Sequence, residues 1–444
     1  MAPRRLGTLA APVTLRVDGD PVPAAPGEPV AVALAAAGRL VLGRSVKYHR
    51  PRGAACYRGR CEGCLMRVDG VASVTTCALP AEDGMVIETQ NVVGSAERDL
   101  LALTDWFFPG GLKHHDMFTW SEAANKAMQK VARRVAGIGR LPDAVRELVE
   151  ARTCEVDLLV IGGGPAGLAA AAHAARAGLD VALVDEALAL GGSLAWWPLD
   201  PLEAAEPWIE AARAAGARLS ARTAALAAYD PWEDVAGAAG PAPAARTERL
   251  VVVTGGPDGL ERVRPARTLV ATGRHVGASA FGDADTPGVV DLHGACVLLS
   301  HGVLPGARVA VAGEGRLAGA LAQALAREGA EVLGPYPEAA LVEADGRPAL
   351  DAIIVRTAEG ERKLRCDALA VLPPSSAVYE LAAQAGVAVR FSGTGYELEV
   401  GAAGATAAPD VRVTGWAAGP EERSLDAVRA EAEAAAAAIV EELR

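Results

Sequence analysis

The sequence has few aromatic residues, no long hydrophobic run and a deficit of positive charge. Phe, Trp and Tyr make up 4% of its 444 residues, against 49 glycines. This balance is typical of α/β proteins, whose tight strand-to-helix turns need glycine where a side chain would clash. No stretch of about 18 or more apolar residues occurs, so we predict no transmembrane segment. The net charge of -12 argues against nucleic-acid binding, because phosphate contacts require an excess of Lys and Arg.

A secretory signal is also lacking. The opening MAPRRLGTLAAPVTL has no hydrophobic core and leads directly into strand-like sequence, so we expect a cytoplasmic protein. At roughly 100–200 residues per domain, the length predicts two to four domains.

Cysteine is scarce outside one cluster. Four of the seven cysteines fall between positions 56 and 77, whereas Cys154, Cys296 and Cys366 stand alone and are predicted to be buried small hydrophobic residues. In a cytosolic chain such clustering favours a metal centre over disulfides.

The clustered cysteines have the spacing C-x4-C-x2-C, followed by one distant cysteine. This is the plant-type 2Fe-2S pattern, which we expect to place three thiolates on a loop and the fourth on a strand. Gly59 and Gly63 lie between ligands, where glycine allows tight turns that aim backbone N–H groups at sulfur. A structural zinc site and an empty site remain as alternatives, although zinc sites usually pair one CxxC with a second CxxC or with histidines. The predicted ligands are Cys56, Cys61, Cys64 and Cys77.

A glycine fingerprint predicts dinucleotide binding further along the chain. Gly162, Gly164 and Gly167 form GxGxxG directly after the apolar run DLLVI and before an alanine-rich helical pattern. Gly162 allows the tight turn, Gly164 lets the pyrophosphate approach the backbone, and Gly167 lets helix and strand pack closely. Asp185 ends the next strand, where a carboxylate can bond a ribose hydroxyl.

Three further motifs favour FAD over NAD at this fingerprint. A GGS turn at 191–193, ATG at 271–273 and a late strand VRVTG ending at Gly415 are together similar to FAD enzymes of the glutathione reductase type. Where such reductases often have an aspartate after this glycine, the chain has Trp416. The predicted FAD-binding residues are Gly162, Gly164, Pro165, Ala166, Gly167, Asp185, Glu186, Gly192, Ser193, Thr272, Gly273 and Gly415.

A similar strand-turn-helix pattern begins at 307. Its fingerprint starts Gly313-Glu314-Gly315, but the next strand ends VLGPYPE, without an acid at the ribose position. The sequence therefore leaves NAD(P) binding at this second unit open.

Two absences narrow the chemistry. No CxxxxC pair follows the first helix, which argues against disulfide reductase activity, since that chemistry requires two neighbouring thiols. No motif-supported set of His, Tyr or carboxylate residues is present to activate an amine, so we expect substrate oxidation on another chain. We interpret His114 and His115, beside Asp116, as domain-packing residues and not as metal ligands or catalytic bases, because adjacent side chains rarely converge on one ion. Flavin cover, an interface and core packing all remain open for Trp196, Trp197 and Trp208.

Over nearly its whole length the chain resembles the α-type subunits of the sarcosine oxidase, hydrogen cyanide synthase and hydroxyproline dehydrogenase group. The resemblance is carried by KYHRPRG at 47–53, the cysteine loop with VDGV, the MFTW…AGIGRLP connector, IGGGPAGLAAA, DE…LGGSL and ATGR. It implies a β-grasp 2Fe-2S ferredoxin-like domain fused to glutathione-reductase-type, Rossmann-like domains. It also implies a partner, an amine-oxidising flavoprotein β-type subunit, with further small subunits, through which a small-molecule amine or amino acid is oxidised. No aminomethyltransferase sequence follows the reductase pattern, so we expect no formaldehyde capture on tetrahydrofolate.

The fold class predicted is an α/β and α+β multidomain protein. We expect a β-grasp domain over 1–100, a connector over 101–152, an FAD-binding domain over 153–290 and 395–444, and a second, NAD-type nucleotide-binding domain over 291–394.

The cysteine loop lies in a basic stretch of an acidic chain. Residues 39–60 contain seven Lys or Arg and no Asp or Glu. Such a stretch steers an acidic partner, holds a cofactor phosphate or offsets the charge of four thiolates. A solvated loop face is the simpler alternative.

Three functions follow as hypotheses. The leading one is an electron-transferring subunit beside an amine-oxidising flavoprotein. The second is a self-contained NAD(P)H-dependent FAD/2Fe-2S reductase. The third is a scaffold subunit with vestigial cofactor sites.

Overall fold

The structure is a computed structural model that describes residues 3–45, 49–92, 94–97, 118–135, 150–196, 205–229, 249–419 and 423–444. Most of the predicted connector, together with His114, His115, Asp116 and Trp197, lies outside these described residues. The chain divides into two compact units. Unit one comprises residues 1–146 and 279–373, and unit two comprises residues 147–278 and 374–444.

The described residues form eight α-helices and twenty-seven strands, many of the strands in consecutive runs. The α-helices are α1 (Val30–Ala36), α2 (Glu122–Val135), α3 (Pro165–Arg176), α4 (Ala205–Ala214), α5 (Leu292–Ser300), α6 (Arg316–Arg327), α7 (Glu380–Gln384) and α8 (Leu425–Leu443). The strands are β1 (Arg4–Arg5), β2 (Val13–Val17), β3 (Asp20–Ala24), β4 (Gly43–Arg44), β5 (Pro51–Arg52), β6 (Leu65–Val68), β7 (Val71–Thr75), β8 (Val86–Glu88), β9 (Arg152–Ile161), β10 (Val181–Val184), β11 (Arg218–Ser220), β12 (Ala224–Tyr229), β13 (Val251–Gly256), β14 (Gly259–Val270), β15 (Arg274–Val276), β16 (Val289–Asp291), β17 (Val303–Leu304), β18 (Arg308–Ala312), β19 (Glu331–Tyr336), β20 (Leu341–Asp345), β21 (Ala352–Thr357), β22 (Gly360–Arg365), β23 (Ala368–Val371), β24 (Ser375–Ala377), β25 (Val389–Phe391), β26 (Tyr396–Leu398) and β27 (Val411–Val413).

The first segment of unit one forms a five-stranded sheet in the order β3-β2-β8-β6-β7. Strands β2 and β8 pair in parallel, and the other neighbouring strands are antiparallel. Alternation along β2 buries Leu15 and Val17, because successive side chains of a strand point to opposite faces. Helix α1 buries six of its seven residues, as an apolar helix covering a sheet must. The predicted β-grasp fold is confirmed.

The second segment of unit one is an α/β element of its own. Four parallel strands have the order β16-β23-β18-β19, and helix α6 follows β18 after a glycine turn. An antiparallel sheet, β20-β21-β22, completes the segment and closes a core around Ile353, Val355 and Leu369.

The two segments of unit one are joined by strands, hydrogen bonds and ion pairs. Strand β1 pairs antiparallel with β17. Arg50 contacts Asp283 at 3.1 Å, and Arg52 contacts Asp285 at 2.7 Å. These two arginines of the basic stretch are therefore neutralised within the unit, which reduces the positive potential that the sequence alone predicts.

Unit two contains the sheet to which β9, the strand directly before the glycine fingerprint, belongs. Strands run in the order β11-β10-β9-β14-β13-β12, and β27 also pairs with β14. The four neighbours β11, β10, β9 and β14 are parallel, as is β27 with β14, whereas β13 and β12 are antiparallel additions. The predicted Rossmann-like sheet is confirmed.

Alanine-rich helices α3 and α8 pack together against this sheet. Buried residues include Ala170 and Ala171 of α3 and Ala432, Ala435 and Ile439 of α8. Small side chains let two helix backbones approach each other closely. The long helix α8 begins after the N-cap Ser424, whose side chain accepts a hydrogen bond from the amide of Ala427.

The predicted domain boundaries stay predictions, although the units divide the chain at nearby positions. The segment grouped with the β-grasp domain spans residues 279–373, against the predicted range 291–394. In the described part of the chain, no helix is both long and apolar enough to cross a membrane.

Candidate cofactor sites

The four predicted cluster ligands meet in one place within unit one. The Sγ atoms of Cys64 and Cys77 are 3.4 Å apart. The side chain of Cys56 hydrogen-bonds with those of Cys61 and Cys77. Three of the four cysteines are buried, and Cys61 is half-buried. The expectation of a strand for the fourth ligand is wrong in detail, because Cys77 lies in the 3-10 turn Thr76–Ala78 just after β7.

Backbone N–H groups of the loop point at these sulfur atoms. The amides of Arg58 and Arg60 donate to Cys56 Sγ at 3.4 and 3.2 Å, and the amide of Gly59 donates to Cys77 Sγ at 3.1 Å. Gly59 has a φ of 75°, which favours glycine. A Cβ atom on Gly63 would lie 1.9 Å from the carbonyl oxygen of Gly53, so only glycine fits there.

The sulfur donors fit a 2Fe-2S cluster in number and position. The hydrogen bonds among the cysteines lower the pKa of Cys56 and Cys64 and raise the pKa of Cys61 and Cys77. Two of the four side chains therefore favour the thiolate, which is the form that binds iron. Among the described residues, no group of three or more His, Cys, Asp or Glu side chains surrounds a single ion position. A 2Fe-2S cluster does not require one, since each iron takes two of the four cysteines.

Arg58 of the cysteine loop contacts two buried polar side chains, those of His293 and Asp291. Arg58 Nη2 lies 2.9 Å from His293 Nδ1 and 3.7 Å from Asp291 Oδ2. Burial raises the pKa of Asp291 to about 7 and lowers the pKa of His293. Asp291 and His293 could not be predicted from the sequence, because more than 200 residues separate them from the loop and no motif contains them.

The glycine fingerprint occupies the turn between β9 and α3 in unit two. Gly162 has a φ of 112°, and a Cβ atom there would lie 2.3 Å from the carbonyl oxygen of Ala271. A Cβ atom on Gly167 would lie 1.8 Å from the carbonyl oxygen of Gly162. At Gly164, in contrast, the nearest atom is Gly192 Cα at 3.9 Å, so this position opens into free space. The geometry fits a close approach of pyrophosphate to the backbone at Gly164, beside a helix N-terminus.

The other predicted FAD residues of unit two surround the same turn. Gly192 has a φ of 51°, and its hypothetical Cβ atom would lie 2.7 Å from Gly164 Cα. Thr272 follows β14 and donates its hydroxyl to the carbonyl of Val378 at 2.9 Å. A Cβ atom on Gly415 would lie 2.7 Å from Ala166 Cβ.

Residues from five places in the sequence therefore converge at the start of α3. Pro165 and Ala166 form its first turn, Ser193 is buried in the neighbouring 3-10 turn, and Gly273 adopts a φ of 73° beside Thr272. Their roles as FAD ligands stay predictions.

The two acids after β10 have different surroundings. Asp185 accepts hydrogen bonds from the amides of Gly163 at 2.5 Å and Ala187 at 2.7 Å. It therefore holds the glycine turn in place. Glu186 is exposed, which leaves its carboxylate accessible to a ribose hydroxyl.

The structure also shows the surroundings of several residues outside the two cofactor sites. Trp208 packs in the core of unit two, with the guanidinium of Arg429 4.1 Å from its ring centre. Cys296 and Cys366 are buried, as predicted, whereas Cys154 is only half-buried near the start of β9. The second fingerprint forms a comparable turn before α6, with φ values of 146° at Gly313 and 90° at Gly315.

Converging cysteines and a glycine turn at a helix N-terminus define an oxidoreductase-type protein with an iron-sulfur site and a dinucleotide site. Comparison with known families agrees with this class. Residues 10–92 match the 2Fe-2S iron-sulfur cluster binding domain, and residues 157–235 match the FAD dependent oxidoreductase family. The predictions of a 2Fe-2S cluster and FAD are thereby confirmed.

Among curated proteins, the chain is similar to alpha subunits of sarcosine oxidase. It is 39% identical over 191 residues to that of Rhizobium meliloti strain 1021, a match covering 41% of this chain and 19% of the relative. It is 33% identical over 168 residues to that of Corynebacterium sp. strain P-1, covering 35% of this chain and 17% of the relative. The chain thus spans about a fifth of the length of these relatives, and over the matched residues it is similar to these alpha subunits.

Two solved structures share the fold. L-proline dehydrogenase from P. horikoshii superposes with a TM-score of 0.73 at 22% identity, over 100% of this chain and 76% of that one. Thioredoxin reductase from T. acidophilum superposes with a TM-score of 0.52 at 16% identity, over 65% of this chain and 99% of that one.

Proposed function

We propose that this chain is the electron-transferring subunit of a heteromeric FAD-dependent amine or amino-acid oxidoreductase, acting on the sarcosine, proline, hydroxyproline or glycine class. The observation that carries the proposal is the presence of two electron-carrier sites in one chain, a four-sulfur loop and a glycine turn at a helix N-terminus. The sequence adds no motif-supported base that would activate an amine. Substrate oxidation is therefore assigned to a partner flavoprotein.

The residues of the two sites suit this division of labour. Bound flavin exchanges two electrons with organic molecules, whereas a 2Fe-2S cluster passes one at a time. The glycine turn binds the pyrophosphate, and Asp185 fixes the turn through Gly163. Burial excludes water from Cys56, Cys64 and Cys77, while half-buried Cys61 leaves one side of the cluster site accessible.

Anaerobic reduction tests the proposal. The chain is purified alone and with the subunits that co-purify from its source, and each sample receives sarcosine, L-proline, hydroxyproline or glycine. We expect bleaching of the flavin band and a reduced-cluster paramagnetic resonance signal only in the complex. A Cys77→Ser chain in the same complex should lose the cluster signal while flavin bleaching remains. Oxidation of one of these amines by the isolated chain, unaffected by added partner, would overturn the proposal.

The basic stretch 39–60 is the proposed docking face for an acidic partner. Its ion pairs provide matched variants, because Arg50 and Arg52 contact Asp283 and Asp285. The double variant Arg50→Glu with Arg52→Glu should slow association with the partner and weaken the salt dependence of the association rate. The double variant Asp283→Asn with Asp285→Asn should accelerate association. Equal association rates for both double variants would exclude this face.

The second candidate function is an NAD(P)H-dependent reductase. The observation that favours it is the second glycine turn, at Gly313 and Gly315 before α6. Anaerobic NADH or NADPH added to the isolated chain separates the candidates, since rapid flavin bleaching supports the reductase. A chain that binds neither flavin nor iron would leave only the scaffold function.

A further inference from the structure

Arg58 of the cysteine loop is held by the second segment of unit one. Its side chain is 16% exposed, and its guanidinium Nη2 lies 2.9 Å from His293 Nδ1. Arginine can only donate, so Nδ1 of His293 accepts this hydrogen bond and the imidazole is neutral. The contact joins the loop between Cys56 and Cys61 to helix α5.

His293 is itself fixed in position. It lies in the first turn of α5 and is 1% exposed. Asp291 caps this helix by accepting from the amide of Gly294, and the amide of Asp291 donates to the carbonyl of Ala55 at 2.9 Å. A Cβ atom on Gly294 would lie 2.6 Å from that same carbonyl oxygen, so the helix N-terminus packs directly against the loop.

Anchoring Arg58 fixes three consecutive amides that point at sulfur. These are the N–H groups of residues 58, 59 and 60, which donate to Cys56 Sγ and Cys77 Sγ. Hydrogen bonds to cluster sulfurs and positive charge nearby both favour the reduced, more negative cluster. Loss of the anchor should therefore lower the reduction potential.

We propose that Arg58 is a positioning residue which, held by His293, keeps these amides on the cluster sulfurs and raises the reduction potential of the cluster. The inference deepens the proposed electron-transfer function and rests on its 2Fe-2S assignment. It makes residues 279–373 part of the cluster site, so the β-grasp segment is not an autonomous ferredoxin.

Redox titration of the full chain tests this inference. Arg58→Met should lower the reduced-to-oxidised ratio of the cluster at a fixed potential about tenfold, which corresponds to about 59 mV for one electron. His293→Leu removes the acceptor without changing the charge and should shift the potential in the same direction. His293→Asn keeps an acceptor near the position of Nδ1 and should restore most of the wild-type value. Arg16→Met, on an exposed position of β2, is the matched control and should leave the potential unchanged.

Iron and sulfide contents of each variant distinguish a shifted reduction potential from loss of the cluster. A wild-type potential in fully loaded Arg58→Met and His293→Leu chains would refute the inference while leaving the proposed function intact. If Arg58→Met loses its iron, the variants His293→Leu and His293→Asn provide the test. Iron lost in His293→Leu and kept in His293→Asn supports anchoring of Arg58 by His293. Equal iron contents and equal potentials in the two variants refute this anchoring. A wild-type chain without iron would instead overturn the cluster assignment.

Discussion

We expect the substitution Gly164→Val to weaken FAD binding strongly while leaving the stability of the fold nearly unchanged. Gly164 has a φ of -76° and ψ of -175°, a conformation that valine adopts readily, and a Cβ atom there meets only Gly192 Cα at 3.9 Å. The side chain would fill the space where the pyrophosphate meets the backbone. A charge-assisted hydrogen bond contributes about 1.5–3 kcal/mol, so the loss of about two of them would cost about 3–6 kcal/mol. We therefore expect FAD to bind roughly 10²–10⁴-fold more weakly.

Gly167→Ala is the contrasting variant in the same turn. Its Cβ atom would lie 1.8 Å from the carbonyl oxygen of Gly162, so strand and helix must separate. Overpacking of this kind costs about 1–3 kcal/mol, and at about 2–4 °C per kcal/mol for a unit of this size the Tm should fall by roughly 2–12 °C. Gly319→Ala, in helix α6 with no atom within 4 Å of its Cβ, controls for the glycine-to-alanine change.

Flavin absorbance after gel filtration, a fluorescence titration with FAD and thermal unfolding provide the measurements. The expected pattern is an apo but stable Gly164→Val chain, with a Tm within a few degrees of apo wild type and an unchanged iron content. A Gly164→Val chain that retains stoichiometric flavin would refute the placement of FAD at this turn.

Three further predictions concern the cluster and the stability of unit two. The chain should contain two irons and two labile sulfides, with a paramagnetic resonance signal after reduction, and Cys77→Ser should remove both; stoichiometric zinc would contradict this. Gly63→Ala should lower the iron content several-fold, since its Cβ atom would lie 1.9 Å from the carbonyl oxygen of Gly53 and displace the loop; Gly7→Ala, with open space at its Cβ position and no positive φ, is the comparison. Burial opposes ionisation of Glu442, but hydrogen bonds from its two arginine partners outweigh it and lower the pKa. This stabilisation is fully present above the ordinary glutamate pKa of roughly 4.3 and is lost as the pH falls through the lowered pKa of the folded state, so Glu442→Gln should lower the Tm at pH 7, and the difference from wild type should shrink as the pH is lowered.

The sequence by itself determined the chemistry of the cysteine loop and the identity of the glycine turn. Both depend on short spacings, and a spacing of two to five residues limits which side chains can meet in a loop. Gly162 and Gly167 could be predicted because each is required by a backbone contact that any βα turn of this type makes. The apolar run before the glycine fingerprint and the alanine-rich pattern after it likewise indicated the Rossmann-like sheet, whereas the β-grasp sheet was implied by the family resemblance.

Only the tertiary structure decided which distant residues complete these sites. Asp291 and His293 reach the cysteine loop because the parallel sheet of the second segment brings β16 and α5 against it. Likewise, Arg50 and Arg52 belong to a positively charged stretch of the sequence, but in the folded unit they lie beside Asp283 and Asp285. Contacts between residues more than 200 positions apart depend on how whole segments pack, and no local pattern encodes that packing.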